Sequence, residues 1–477
     1  MALEILQQPL GTSTDSIYFR VPVGQQLIFG VADTTIVATA FNVKYIAEVH
    51  ISTTGQILIN DDTRIGTFKT TPNNAGSGIF DLRPVLESYV KPDNDASEGA
   101  TSYKLNKDID PPIHLVDRFS LSENSIRMFG VKFYAEYSIS ATSEILQTDP
   151  VLSQVWMIFN GVLQYDNALT LINGNYGYDL SKFAISSSGN KMYFLSNAPT
   201  TQYARITDYG TLPFLNWTNN QTGIPENIKK VTYRLYDSGG SVLLSNSQTN
   251  AITTGGVSSF NFEAKNFLMY IGAFPGNLRH NSGVSAVFET GNVSYYTIQL
   301  EDNAGDLSEL YTVNIICPSN QGYNRNYEMI RLAWLNQWGA WDYYTFTMKS
   351  IRSITSKKTP YHQEGGTWNE SNFKIKGWKG GKKNFRVNST EKIRINTDFV
   401  SEEEGAWFEE LINSSEVYII NEFDSTEVTP YNTITNKYVE PVVVTTSNYI
   451  KKTIANDKIM QYTFEIEKSK MQRTQSA

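Results

Sequence analysis

The sequence predicts a mainly β protein of several domains, on the basis of its composition, its length and its strand patterns. Aromatic residues make up 13% of the chain, with 28 Tyr and 24 Phe, and such residues suit the half-buried surface of a pleated sheet. The 477 residues exceed the roughly 250–300 at which single cores stop growing. We therefore expect a multidomain β-sandwich or β-barrel architecture with one packed helix in the C-terminal domain.

The first predicted domain, residues 1–149, contains two long amphipathic strands. In 41–51 and 127–139, apolar residues alternate with mostly polar ones, which is the period of a strand with one buried face. Residues 81–90 predict a short helix with Asp81 as its N-cap. A turn-rich boundary near residues 148–150 then ends this domain.

The second predicted domain, residues 150–318, has short strands separated by Gly, Asn, Asp and Ser turns. The predicted strands are 155–159, 192–195, 231–236, 284–288, 295–300 and 311–316. Residues 233–244 indicate a hairpin, since Gly can supply the positive φ of its turn. The hairpin at 295–315 is similar in architecture to the last hairpin of an immunoglobulin-like or fibronectin-like sandwich. Upstream, the polar stretch 91–112 is expected to form a long exposed loop.

The third predicted domain, residues 319–477, has six of the eight tryptophans and a helix at about 402–413. Ser401 and Glu404 match a capping box, in which the Ser hydroxyl accepts from a free backbone N–H and Glu404 reaches back. An apolar stripe at i, i+4 spacing follows, formed by Trp407, Phe408, Leu411 and Ile412. Further strands are predicted at 416–420, 439–445 and 462–467.

Charge is unevenly distributed along the chain. The net charge of −8 argues against a specific or general nucleic-acid binder. Residues 320–477 hold 21 Lys+Arg against 19 Asp+Glu, which leaves 19 against 29 for residues 1–319. The segment 349–394 alone has 12 basic and 3 acidic residues. The sequence leaves open whether this segment faces a lumen, a partner or solvent; oppositely charged faces can bring subunits of a ring into register.

Residues suited to catalysis or metal binding are scattered. The histidines are His50, His114, His280 and His362, without metal-ligand spacing between any two. Cys317 is the single cysteine, in an apolar strand pattern. Asp166, Asp208 and Asp237 lie beside turns, where Asp bonds its own backbone. We therefore expect no catalytic, cofactor-binding or metal-binding residues, no cofactor, and a protein that is not an enzyme.

Neither an export signal nor a membrane span is expected. The N-terminus lacks a basic region followed by an apolar stretch, and the sequence has no apolar run of about 18 residues. A membrane partner is therefore not predicted.

The stretch 326–346 contains a distinctive set of spaced residues: Arg331, Trp334, Leu335, Asn336, Gly339, Asp342, Tyr343 and Phe346. Their spacing resembles the pattern Arg-x-x-Trp-Leu-Asn-x-x-Gly-Gly-x-Asp-Tyr-x-x-Phe. That pattern is found in virion structural proteins of tailed bacteriophages that infect Bacteroidetes or marine bacteria. Ala340 replaces the second Gly, a small departure that still permits a tight turn. The resemblance covers residues 320–470, about a third of the chain.

The resemblance implies a structural tail protein, of the tail hub, baseplate or neck ring, and it brings no catalytic residues. Such a protein would form a ring, of six or twelve copies, and dock other tail or neck proteins. It would be made in the cytoplasm of the bacterial host and end in the virion. The alternative is a receptor- or glycan-binding protein of the tail tip, with host surface glycan as its partner. A polysaccharide-degrading enzyme is a further alternative.

The motif's side chains also have a physical interpretation of their own. The candidate interface or core residues are Arg331, Trp334, Asn336, Trp338, Trp341, Asp342 and Tyr343. In one interpretation, they form a strand–turn–strand corner that closes a hydrophobic core. In the other, some of their rings lie at a subunit interface, where Trp and Tyr commonly supply the binding energy.

Overall fold

A computed structural model describes most of the chain. The described ranges are 3–9, 19–53, 63–97, 111–162, 169–172, 175–178, 180–183, 191–216, 228–251, 264–290, 292–316, 327–421, 439–450 and 460–470. Strands make up 48% and helices 12% of the structure, in several sheets. The predicted fold class, a mainly β multidomain protein with one packed C-terminal helix, is confirmed. Cys317 and Asp166 lie outside the described residues.

Twenty-seven strands are described and are numbered in chain order. They are β1 Glu4–Gln7, β2 Phe19–Pro22, β3 Ile28–Ala32, β4 Phe41–Ser52, β5 Arg64–Thr70, β6 Ser77–Asp81, β7 Phe119–Leu121, β8 Ile126–Ser138, β9 Leu146–Gln147, β10 Val151–Leu152, β11 Trp156–Phe159, β12 Leu169–Ile172, β13 Asn175–Tyr178, β14 Thr201–Ala204, β15 Thr211–Leu215, β16 Ile228–Tyr236, β17 Val242–Thr249, β18 Leu268–Gly272, β19 Tyr295–Asp302, β20 Tyr311–Ile315, β21 Ile330–Leu335, β22 Trp341–Phe346, β23 Ile351–Gln363, β24 Gly381–Asn396, β25 Val417–Ile420, β26 Val439–Val444 and β27 Thr463–Lys468.

The helices of the described ranges are short, apart from one. The α-helices are α1 Thr34–Thr39, α2 Arg83–Leu86, α3 Pro275–Leu278, α4 Ser285–Glu289 and α5 Glu402–Asn413. The 3-10 helices are Glu87–Tyr89, Ile113–Leu115, Ser181–Phe183 and Ala264–Asn266. Among the described helices, none is both long enough and apolar enough to cross a bilayer.

An N-terminal sandwich is built from two sheets. One has the strand order β1-β3-β6, and the other has the order β2-β11-β8-β4-β5, with β9 and β10 also paired to β8. Phe29 of the first sheet contacts Phe133 and Trp156 of the second, at ring-centroid distances of 5.6 and 6.4 Å. The two long strands predicted from alternation are confirmed as β4 and β8, which pair antiparallel.

A second sandwich follows, with a five-stranded sheet of order β14-β20-β19-β16-β17 and a three-stranded sheet of order β15-β18-β7. Tyrosine hydroxyls join the two sheets, since Tyr233 donates to the carbonyl of Gly272 at 2.9 Å and Tyr296 donates to that of Ala273 at 2.7 Å. The predicted hairpins are confirmed as β16–β17 and β19–β20. Gly240 in the first turn has φ +82°, as expected for Gly there.

The C-terminal part forms a seven-stranded sheet of order β22-β21-β25-β26-β27-β24-β23, against which α5 packs. The predicted helix is confirmed, and its capping box is formed. The Ser401 hydroxyl accepts from the Glu404 backbone N–H at 3.2 Å, and Glu404 Oε2 accepts from the Ser401 N–H at 2.8 Å. Trp407, Phe408 and Leu411 are buried against the sheet.

Four local predictions are wrong. Residues 284–288 were expected to form a strand, but Ser285–Glu289 is a helix whose first turn bonds to the Asn281 carbonyl. Residues 192–195 form no strand, although Met192, Phe194 and Leu195 are buried. The N-cap of α2 is Leu82, because Asp81 is the last residue of β6 and caps Arg83 N–H from outside the helix. The described parts of the expected exposed loop are 91–97 and 111–112, and they include the fully buried Asp93.

Sheet pairing crosses the positions where domain boundaries were predicted. Strand β11 lies beyond residue 149 yet pairs with β8 and β2 of the N-terminal sandwich. Strand β7 lies before residue 150 yet pairs with β18 of the second sandwich. The domain ranges 1–149, 150–318 and 319–477 therefore remain predictions. In chain order, β7 of the second sandwich lies between strands of the N-terminal sandwich.

The capping box generates a prediction for helix stability. We expect Ser401→Ala to lower the free energy of unfolding by about 1 kcal/mol, because the Glu404 N–H loses its acceptor at the helix start. Urea unfolding followed by tryptophan fluorescence measures the change. Ser447→Ala, at an exposed position, is the control. Equal losses in the two variants would show that the cap contributes nothing.

Candidate interaction surface

The family-like motif forms a hairpin of β21 and β22 with a tight turn over residues 336–340. The Asn336 side-chain oxygen accepts from the N–H groups of Trp338 and Ala340 at 3.0 and 3.1 Å. Gly339 has φ +72°, and a Cβ on it would lie 1.5 Å from the backbone oxygen of Asn160. Only Gly fits there, whereas Ala340 is accommodated.

Arg331, in β21, is a buried cation. Its Nε donates to the Tyr209 carbonyl at 2.6 Å, and its guanidinium lies 3.7 Å from the Asp208 carboxylate. The guanidinium carbon also lies 4.2 Å from the centroid of the Phe274 ring, which is a cation–π contact. Burial alone would raise the pKa of Asp208, but the charges of Arg331 and Arg205 hold it below its ordinary value. Asp208, which the sequence predicts as a turn residue, is therefore also the counter-ion of Arg331.

Two buried carboxylates connect the motif to α5. Asp342 accepts from Asn336 Nδ2 at 3.1 Å and from Trp407 Nε1 at 2.6 Å. Glu410 accepts from Gln337 Nε2 at 2.8 Å and from Asn197 Nδ2 at 2.6 Å. Burial raises the pKa of both carboxyl groups. The hydrogen bonds of these two carboxyl groups join the turn at residues 336–340 to α5.

Other motif residues connect the C-terminal sheet to the earlier parts of the chain. Trp341 Nε1 donates to the backbone oxygen of Asp93 at 2.7 Å. The Tyr343 hydroxyl lies 2.8 Å from His114 Nδ1 and 3.0 Å from Thr211 Oγ1. Burial, with a contribution from the Arg331 charge, lowers the pKa of His114 to about 3, so this histidine is neutral in the fold.

All seven candidate residues are therefore inside this chain. The side chains of Arg331, Trp334, Asn336, Trp338, Trp341, Asp342 and Tyr343 are buried. The structure brings them together as a junction between hydrophobic clusters. This arrangement favours the core interpretation, because a ring at a subunit interface needs an exposed face. In the described ranges, no group of three or more His, Cys, Asp or Glu side chains could hold a metal ion.

The basic segment instead forms a projecting two-stranded hairpin, here called the arm, residues 351–396. Its strand β23 is exposed from Ile351 to His362. Strand β24 pairs with β27 of the sheet only over Lys392–Asn396. From Gly381 to Thr390, β23 is its only partner among the described strands, over a length of about 30 Å at ~3.3 Å per residue.

The base of the arm is anchored by ion pairs. Arg352 pairs with Glu391 at 2.6 Å and also with Glu328, and Lys468 pairs with Glu391 at 3.5 Å. Burial alone would raise the pKa of Glu391, but its bond to Arg352 and the charge of Lys468 hold it below the ordinary value. The arm therefore leaves the sheet at a fixed place.

The end of the arm, here called the tip, residues 364–380, displays large apolar side chains. Trp368, Phe373, Ile375 and Trp378 are 69%, 57%, 87% and 75% exposed. Beneath them Thr367 is buried; its hydroxyl donates to the Asn372 carbonyl at 3.0 Å and accepts from the Lys374 N–H at 2.8 Å. Gly366 has φ +88°, and a Cβ there would lie 2.3 Å from the Phe373 ring. The tip is thus a structured loop with its rings turned outward.

Sequence reasoning identified the basic segment but missed the exposed rings of the tip. The Gly-rich residues 377–380 belong to the loop that joins β23 to β24. The signal available in the sequence was the setting of Trp378, between Lys, Gly and Lys rather than within an alternating apolar pattern. Lys379 Nζ lies 5.3 Å from the Trp378 ring centroid.

Comparison with known proteins does not assign a family. No protein-family model and no curated protein matches the chain. Fibronectin(III)-like modules of Clostridium thermocellum CbhA align over 66% of this chain and 93% of theirs, with 9% identity and a TM-score of 0.13. The BSP domain of a biofilm-associated protein aligns over 83% of this chain and 64% of its own, with 9% identity and a TM-score of 0.14. Neither likeness supports an argument.

The buried Glu410 generates a prediction for the pH dependence of stability. Its raised pKa means that the folded state favours the protonated carboxyl. The contribution of Glu410 to the free energy of unfolding is complete below its pKa in the unfolded chain, about 4.3. It is lost as the pH rises through its pKa in the folded state. Glu410→Gln lacks this loss. We expect wild-type stability to fall, relative to the variant, by on the order of 2 kcal/mol between acidic and mildly alkaline pH.

Urea unfolding of both proteins at about pH 5 and about pH 8 tests this expectation. Glu144→Gln, at an exposed position, is the matched control and should follow the wild type at both pH values. If the free energy of unfolding changes by the same amount between the two pH values in the wild type and in Glu410→Gln, the raised pKa of Glu410 is contradicted.

Proposed function

We propose that this chain is a non-enzymatic structural protein that assembles with protein neighbours through its arm. The observation that supports this most directly is the tip, where Trp368, Phe373, Ile375 and Trp378 are displayed on a structured loop at the end of a projecting hairpin. Trp is among the residues that most often dominate binding energy at interfaces. A loop already ordered before binding loses less entropy on docking.

The motif resemblance supports a place for this function in a bacteriophage tail. The proposal is a tail hub, baseplate or neck component, located in the virion, that forms a ring of six or twelve copies and docks other tail or neck proteins. The buried motif would then serve the stability of each subunit, and the arm would serve its contacts. No cofactor is part of this proposal.

Glycan binding is the second candidate function. The exposed rings of Trp368 and Trp378 favour it, because flat aromatic faces can stack on sugars. A polysaccharide-degrading activity has less support, since the buried carboxylates Asp342 and Glu410 both accept hydrogen bonds from protein groups.

Multi-angle light scattering on the purified full-length protein tests the proposal. We expect a mass of at least six copies of the 53.7 kDa chain, because a structural ring protein buries its contact surfaces in the oligomer. A single-copy mass at every concentration would contradict self-assembly. A glycan array should show no binding; sugar binding that is lost in Trp368→Ala would favour the second candidate instead.

A further inference from the structure

The arm is a structure that needs a partner. An isolated two-stranded hairpin is marginally stable in water, and strands are usually stabilised by a third strand or a packed face. Within the described part of the chain, the arm has neither over residues 355–363 and 381–390, because there its strands pair with each other alone. Exposed apolar residues on it include Ile354, Tyr361 and Phe385, beyond those of the tip.

The chain itself has the charge complementary to the arm. Residues 351–396 contain 11 Lys+Arg and 3 Asp+Glu, a net charge of +8. The whole chain has −8, so the remainder, here called the body, has −16. Two copies of this chain can therefore attract each other through unlike surfaces, whereas two arms repel each other.

The arm of one copy is poorly placed to use its own body. The tip lies at the end of a hairpin that projects about 30 Å from the sheet, several times the Debye length of about 8 Å at physiological salt. The ion pairs of Arg352 and Glu391 fix the base from which it projects. The body of a second copy can approach the tip directly, because no covalent connection holds it at that distance.

We infer that the arm's partner is the acidic body of a second copy of this chain. The inference rests on the proposed function and names the contact that would build the oligomer. Arm and body are different surfaces, so the contact is heterologous, and repetition of such a contact closes a ring when the rotation permits. Lysines of the tip supply attraction, while Trp368, Ile375 and Trp378 supply the apolar area that is buried on docking.

Three variants of the full chain test the inference. In the first, residues 357–388 are replaced by Asn-Gly, which joins Ser356 to Ser389, its cross-strand partner, and keeps the pairing of β24 with β27. The second reverses the tip charge with Lys374→Glu, Lys376→Glu and Lys379→Glu. The matched control makes the same change in net charge at exposed positions of the body, with Lys44→Glu, Lys91→Glu and Lys229→Glu.

Light scattering at about 50 mM and about 500 mM salt is the first measurement. We expect the wild type and the control to assemble at low salt, both arm variants to have the mass of one copy, and the wild-type dissociation constant to rise at least about tenfold at high salt. Arm variants that assemble like the wild type would overturn the inference and leave the proposed self-assembly intact. A monomeric wild type would overturn both.

A zero-length carbodiimide cross-link identifies the contact directly. Copies labelled with ¹⁵N are mixed with unlabelled copies, and linked peptides are analysed by mass spectrometry. We expect mixed-isotope pairs that join tip lysines to Asp or Glu of the body. Tip links found only between peptides of the same isotope would overturn the inference, because the arm would then contact its own body. Tip-dependent binding to anionic vesicles without mixed pairs would overturn it as well.

Discussion

The fold depends on the buried carboxylate of Asp342 and the two donors that it accepts from. One oxygen binds Asn336, which shapes the turn between β21 and β22, and the other binds Trp407 of α5. A charged or polar group in this position is costly unless it is bonded, so the turn and the helix can pack only in the arrangement that supplies both donors. The rest of the C-terminal core is built around that arrangement.

The pair of Arg331 and Asp208 imposes a similar constraint further inside. Neither ion reaches solvent, and each has further partners: Tyr209 and Thr345 for Arg331, and Arg205 for Asp208. Removal of water from both charges consumes much of their attraction, so the pair is weak evidence for net stability. We expect its effect to be specificity, because the buried guanidinium has its counter-ion only where β21 lies beside Asp208.

Much of the fold could be predicted from local sequence, and the reasons are visible at particular residues. Alternation identified β4 and β8, although both faces are buried over residues 45–50 of β4 and 128–131 of β8. Ser401 with Glu404 identified the start of α5. The apolar run at 284–288 was ambiguous because a run of five does not distinguish strand from helix. Asp208 looked like a turn residue; its partner Arg331 is remote in sequence, so no local pattern indicates the pair. In the candidate interaction surface, the basic charge of the arm could be predicted from the sequence. The exposure of the aromatic rings at the tip could not, because it depends on β23 and β24 extending past the other strands of the C-terminal sheet.

The contact between Trp341 and Asp93 also has a consequence for synthesis on the ribosome. The two residues are 248 positions apart, and the intervening chain includes β7, which pairs with β18. At about 5–20 residues per second, translation needs roughly 12–50 s to supply the second residue after the first. During that time Asp93 can bind Asn124 and Ser125, but the ring of Trp341 is still missing from its surroundings. The core around Asp93 is therefore completed late in synthesis, and apolar surface that stays exposed in the meantime is prone to aggregation.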